Sequence, residues 1–95
     1  MTGVVNLHDD SYDVYVGRAG HGFDGYFGNP FSARLDGRAT AIAKFEAYFL
    51  SRVSADPEFR ARVLALRGKR LGCFCKPKTC HGDVIARWID AQPLS

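Results

Sequence analysis

No run of apolar residues in this chain approaches the ~20 needed to cross a bilayer. The amino-terminal residues also lack the basic, then apolar, then small-residue pattern of a secretory signal. Cysteine is scarce: there are three, an odd number that argues against a closed disulfide framework. These absences predict a cytoplasmic protein with reduced thiols and no membrane contact. An excess of charge of one sign is missing too. Thirteen Lys and Arg against ten Asp and Glu leave a formal net charge of +3, so nucleic acid is a partner that the charge does not indicate. There is no internal repeat and no domain boundary. The 95 residues are expected to form one domain, which buries only about two-thirds of the surface its unfolded form exposes.

What is present reads as alternating strands and helices. Val4-Val5-Asn6-Leu7 has the composition of a short strand. Asp9-Asp10-Ser11 is turn chemistry. Tyr12 to Val16 is β-branched and aromatic, ends at Gly17, and reads as a strand with Arg18 at its tip. Residues 19–38 show neither a helical nor a strand period. Their glycines separate His21, Phe23, Tyr26, Phe27 and Phe31, and Asn29-Pro30 forces an extended bend. A loop this long in a small domain is usually functional. Its aromatics either cover a ligand or plug the core.

Ile42, Phe45, Phe49 and Val53 recur at helical spacing and predict a helix over 40–53. Asp56-Pro57-Glu58 is a second helix start, with Asp56 as the cap; Phe59, Val63 and Leu66 form its inner face and Gly68 closes it. Residues 70–75 read as a strand in which Leu71, Cys73 and Cys75 share a face. Pro77 ends the strand, and Thr79 is the expected cap of a last helix opening at Cys80. Val84, Ile85, Trp88 and Ile89 bury that helix, and Pro93 stops it. Strands joined by helical crossovers pair in parallel. The expected fold is therefore α/β: a small single-domain Rossmann-like sheet of two or three mainly parallel strands, packed by about three helices in two or three layers.

In such sheets ligands bind at the carboxyl ends of the strands, where the Arg18 tip and the Cys75–Cys80 turn should lie together. Three chemistries fit that point. The first is a site for a small anionic, nucleotide-like ligand. The amides opening the last helix would attract the anion, with Arg18, Arg34, Arg38 and Lys78 supplying charge, Asn29 supplying directional hydrogen bonds and Asp83 at the edge. The second is thiol-based or hydrolytic/transfer chemistry at Cys80. A helix start, the imidazole of His81 and nearby Lys78 all favour the thiolate. Consecutive helical residues point ~100° apart, so His21 is a better-placed base than His81. The third is zinc: Cys73, Cys75, Cys80 and His81 offer four ligands for a tetrahedral ion, although no cofactor is required by the other two readings. A denser basic patch, Arg67, Lys69, Arg70, Lys76 and Lys78, reads either as a solvated rim or as an anion-facing rim of the same site. A module that binds a host protein through the aromatic loop, without catalysis, is the alternative from another class.

Val14-Tyr15-Val16-Gly17-Arg18, Gly28-Asn29-Pro30-Phe31, Leu66-Arg67-Gly68-Lys69 and Cys73-Phe74-Cys75, continuing through Pro77 to Cys80-His81-Gly82-Asp83-Val84, together resemble one family. It is domain of unknown function 4326, found in bacteria and their phages. The resemblance runs from about residue 4 to residue 90 and implies a shared fold without assigning an activity. The Cys…Pro…Cys-His turn is also similar to that of another α/β family, domain of unknown function 488. That family has an arginine where this chain has Gly82.

Overall fold

In the computed structural model of the chain, residues 2–6, 11–17, 25–31, 37–73 and 80–93 are described. The two β-branched runs become β1, Gly3–Asn6, and β2, Val14–Tyr15. The third strand, β3, is Arg70–Cys73. Among the described residues all pairing is parallel, and the order is β1-β3-β2, so the last of these strands is central in the sheet. Val4 and Val14 flank Leu71, while Asn6 flanks Cys73. Side chains alternate across a strand. Val4, Val14, Leu71, Cys73 and Asn6 therefore share one face, and Gly72 and Tyr15 the other. Gly72 is a glycine for a steric reason: a Cβ there would sit 2.7 Å from the Tyr12 ring.

β2 is shorter than the expected 12–16 strand. Asp13 donates its main-chain N–H to the Arg70 carbonyl at 2.8 Å, but its carboxylate then takes the Arg70 N–H, also at 2.8 Å. The side chain thus occupies a donor that a further ladder bond would use.

The helices among the described residues are α1, Arg38–Ala55; α2, Pro57–Leu64; and α3, His81–Ala91. Asp56 separates the first two and serves both. Its N–H closes α1 onto the Arg52 carbonyl at 2.9 Å, and its Oδ1 accepts from Glu58 N and Phe59 N at 3.1 Å each. Gly68, at φ +78°, turns the chain from α2 into β3. That conformation costs an L-residue strain and costs glycine none.

One core cluster joins the helices to the sheet. Phe45, Phe49 and Val53 of α1, Phe59 and Val63 of α2, Ile85 and Ile89 of α3, and Leu71 of β3 are each at most 2% exposed. Burying each such side chain is worth about 1.5–3 kcal/mol. Ala41 rather than Ile42 completes the buried stripe of α1, and Ile42 and Trp88 are only partly covered. The α/β expectation holds: three parallel strands and three helices among the described residues. No helix among them is long and apolar enough to cross a membrane.

Candidate functional site

Because the sheet is wholly parallel, β1, β2 and β3 end at the same edge, and α3 begins there. Its start is one residue later than the sequence suggests. Cys80, not Thr79, is the N-cap, with extended backbone angles. The Cys80 sulfur accepts from Gly82 N at 3.4 Å. Asp83 Oδ2 accepts in turn from Cys80 N at 3.0 Å. This is a capping box with sulfur in place of the usual hydroxyl. Asp83 is thereby engaged in holding the helix start.

The extended Cys80 changes the geometry expected of its neighbour. Two consecutive helical residues would diverge, but only His81 is helical. Cys80 Sγ and His81 Nδ1 are 3.7 Å apart. His81 Nε2 lies 2.5 Å from the Val16 carbonyl, just beyond β2. A carbonyl can only accept, so Nε2 carries a proton. In the neutral ring Nδ1 is then an acceptor turned toward the thiol. Phe45 closes the other side, its ring 5.0 Å from the imidazole and edge-on to it. Cys80 Sγ also contacts Cys73 Sγ, at the end of β3, at 3.1 Å. Neither Cys73 nor Cys80 forms a disulfide.

Gly82 lets this helix start seat on the sheet. A Cβ there would lie 3.2 Å from Val4 Cγ1 and 3.4 Å from Val16 Cγ2. The first turn of α3 thus sits between β1 and the end of β2. The arrangement is a thiol pair and an imidazole joining three chain segments, with Asn6 in the Cys73 row beside them. Chemically it has the parts of a thiol nucleophile with a proton acceptor. Cys80 is 1% exposed and Cys73 likewise, however, so both sulfurs are closed off.

Of the residues singled out by sequence, Cys73, Cys80, His81 and Asp83 come together here. Arg18, His21, Arg34, Cys75 and Lys78 lie outside the described residues. Asn29 is elsewhere. Its Nδ2 donates to the Ala41 carbonyl at 3.2 Å and its Oδ1 accepts from Phe31 N at 2.8 Å, fastening the aromatic loop to α1. Arg38 opens α1. Arg70 begins β3 and Lys69 precedes it. Three residues of strand, about 10 Å, separate Arg70 from Cys73, so this half of the basic patch sits at the opposite end of the strand from the thiols. Among the described residues no group of three or more His, Cys, Asp or Glu side chains is placed to hold a metal ion. The zinc set also needs Cys75, which is not among them. Two members of the site were not singled out in advance: Asn6, and the Val16 carbonyl. Neither carries a local signal, because the place of each is set by pairing between distant parts of the chain.

The family described as Domain of unknown function (DUF4326) matches residues 5–91. The chain belongs to that family. A DUF4326 relative is the uncharacterized 12.4 kDa protein in the nrdA-td intergenic region of Enterobacteria phage T4, 37% identical over 87 residues. Those residues are 92% of this chain and 76% of the relative. No solved structure matches this DUF4326 chain.

Proposed function

We propose that this DUF4326 protein binds a small anionic, nucleotide-like molecule at the carboxyl ends of its strands. The observation that carries the reading is the meeting of His81 with Val16. It brings the end of β2 against the start of α3, beside the end of β3. Three strand ends and a helix start at one edge are the setting in which α/β sheets hold ligands. The positive formal charge, and an arginine next in sequence after Gly17, favour an anion. The α3 amides are less open than a bare helix end, because Asp83 N donates to the Cys80 carbonyl at 2.9 Å and Gly82 N to the sulfur. Recognition therefore falls to side chains, first to Asn6 at the edge and to Arg18, which follows Gly17 in sequence. Binding is preferred over thiol catalysis because Cys80 is 1% exposed.

Thermal unfolding with a panel of nucleotides and nucleotide sugars tests this. Ligand at 100 times its Kd adds about 2.7 kcal/mol, which raises Tm by roughly 10 °C or more in a domain of this size. Amide shifts at Gly17, Cys73 and Gly82 should accompany it. The reading fails if no nucleotide raises Tm beyond inorganic phosphate, or if the shifts avoid those three residues.

A further inference from the structure

About two turns along α1 from Phe45, a second feature stands apart from the thiol site. It is an open cleft of about 500 Å³, between the loop Gly25–Pro30 and the carboxyl-terminal half of α1. Tyr26, Tyr48, Asn29 and Arg52 line it, with the backbone of Gly25 and Gly28. The volume lies within the range of small-molecule sites. Arg52 is its distinctive member. The guanidinium stacks 4.0 Å from the centroid of Phe59 and 5.2 Å from that of Tyr26. Its Nη1 donates to the Tyr48 hydroxyl at 2.9 Å. Among the described residues no carboxylate pairs with it, whereas Arg62 has Glu58 at 3.8 Å and Arg87 has Glu46 at 2.9 Å. Arg62 adds a second cation, 4.8 Å from the same Tyr26 ring.

A guanidinium held in one orientation presents its planar fork of N–H donors in fixed directions. Here stacking and the tyrosine hydroxyl fix its orientation, while among the described residues most of its N–H donors have no protein acceptor. From this we infer a second binding site, in which Arg52 takes an oxyanion, phosphate or carboxylate, carried on a small flat organic group that packs against Tyr26 and Tyr48. Arginine suits it because its planar fork grips such groups through two parallel hydrogen bonds. Asn29, tied to Ala41 and Phe31, holds the glycine wall of the cleft in place. The inference is independent of the strand-end reading, and either can fail alone.

Amide NMR titrations with phenyl phosphate and with benzoate, each against inorganic phosphate and phenol, test it and distinguish the two oxyanions. Saturable shifts are expected at Gly25, Gly28, Tyr48 and Arg52 for at least one of the two aromatic anions. R52Q should weaken that binding about tenfold or more, the scale of a lost hydrogen bond to a charged group. Should R52Q fail to fold, R52K and Y48F carry the comparison: the first loses the fork, the second the hydroxyl that orients it. No saturable shift with either aromatic anion, or binding undiminished in all folded variants, overturns the inference. So do shifts confined to Gly17, Cys73 and Gly82, which would instead put the anion at the strand ends.

Discussion

If Cys80 is a helix cap as well as a buried thiol, its replacement by alanine and by serine should separate the two roles. Cys80→Ala removes the acceptor for Gly82 N and leaves a gap against Cys73 and His81. Loss of an N-cap costs ~1 kcal/mol. Deleting one buried, methylene-sized group costs about another 1 kcal/mol, with a further cavity term if the site does not relax. The sum, about 2 kcal/mol, lowers Tm by roughly 8–16 °C in a domain of this size. Cys80→Ser restores a better cap acceptor but places a hydroxyl where His81 Nδ1 is 3.7 Å away, too far for a good O–H···N bond. It should therefore lose about half as much, ~1 kcal/mol. Asp83→Ala, which removes the reciprocal bond to Cys80 N, should cost ~1 kcal/mol alone. It should add less than that in the Cys80→Ala background, because both residues fix the same turn. Urea denaturation gives all four values from midpoints at constant slope. If Cys80→Ser is as destabilised as Cys80→Ala, or Asp83→Ala adds fully in the double variant, the sulfur is an apolar plug and the cap reasoning is wrong.

Two further outcomes follow from single contacts. His81→Phe keeps a ring against Phe45 but strips the Val16 carbonyl of its donor, so stability should fall by about 1–3 kcal/mol; an unchanged urea midpoint would mean that Val16 does not depend on the imidazole. Gly72→Ala drives a methyl into the Tyr12 ring and should cost about 1–3 kcal/mol, with most of that cost gone when Tyr12→Ala is already present. Equal costs in both backgrounds would show that Tyr12 does not crowd this glycine.

The sequence was most legible where the cause is local. Asp56-Pro57-Glu58 starts α2 because the carboxylate reaches two amides within three residues, and no distant contact is needed. The α1 stripe follows from period alone, apart from the exchange of Ala41 for Ile42. Cys80 as the cap is legible too, from the acid that follows it. An acid three residues after a candidate cap marks the box, and Asp83 stands three after Cys80 but four after Thr79. Asn6 was hidden for a different reason. Its place beside Cys73 depends on pairing β1 with a strand more than 60 residues away, and no local pattern specifies register across that distance. For Lys69 and Arg70 of the basic patch, nearness in sequence is not nearness in space. A strand carries Lys69 and Arg70 away from the thiols as fast as a chain can.

The polar groups at the strand ends are tied to one another rather than held open. The Val16 carbonyl has His81, the Cys80 amide has Asp83, and the two sulfurs have each other. Such a cluster is better suited to fixing where β2, β3 and α3 meet than to meeting a ligand directly. The binding groups would then come from the residues that follow Asn6, Gly17 and Cys73 in sequence. That division matches the general economy of α/β domains, in which a rigid core aims loops that carry the recognition. It also separates the effects of substitution. Changes at Cys80, His81 or Gly82 should alter stability and binding together, whereas changes at Arg18 should alter binding with stability intact.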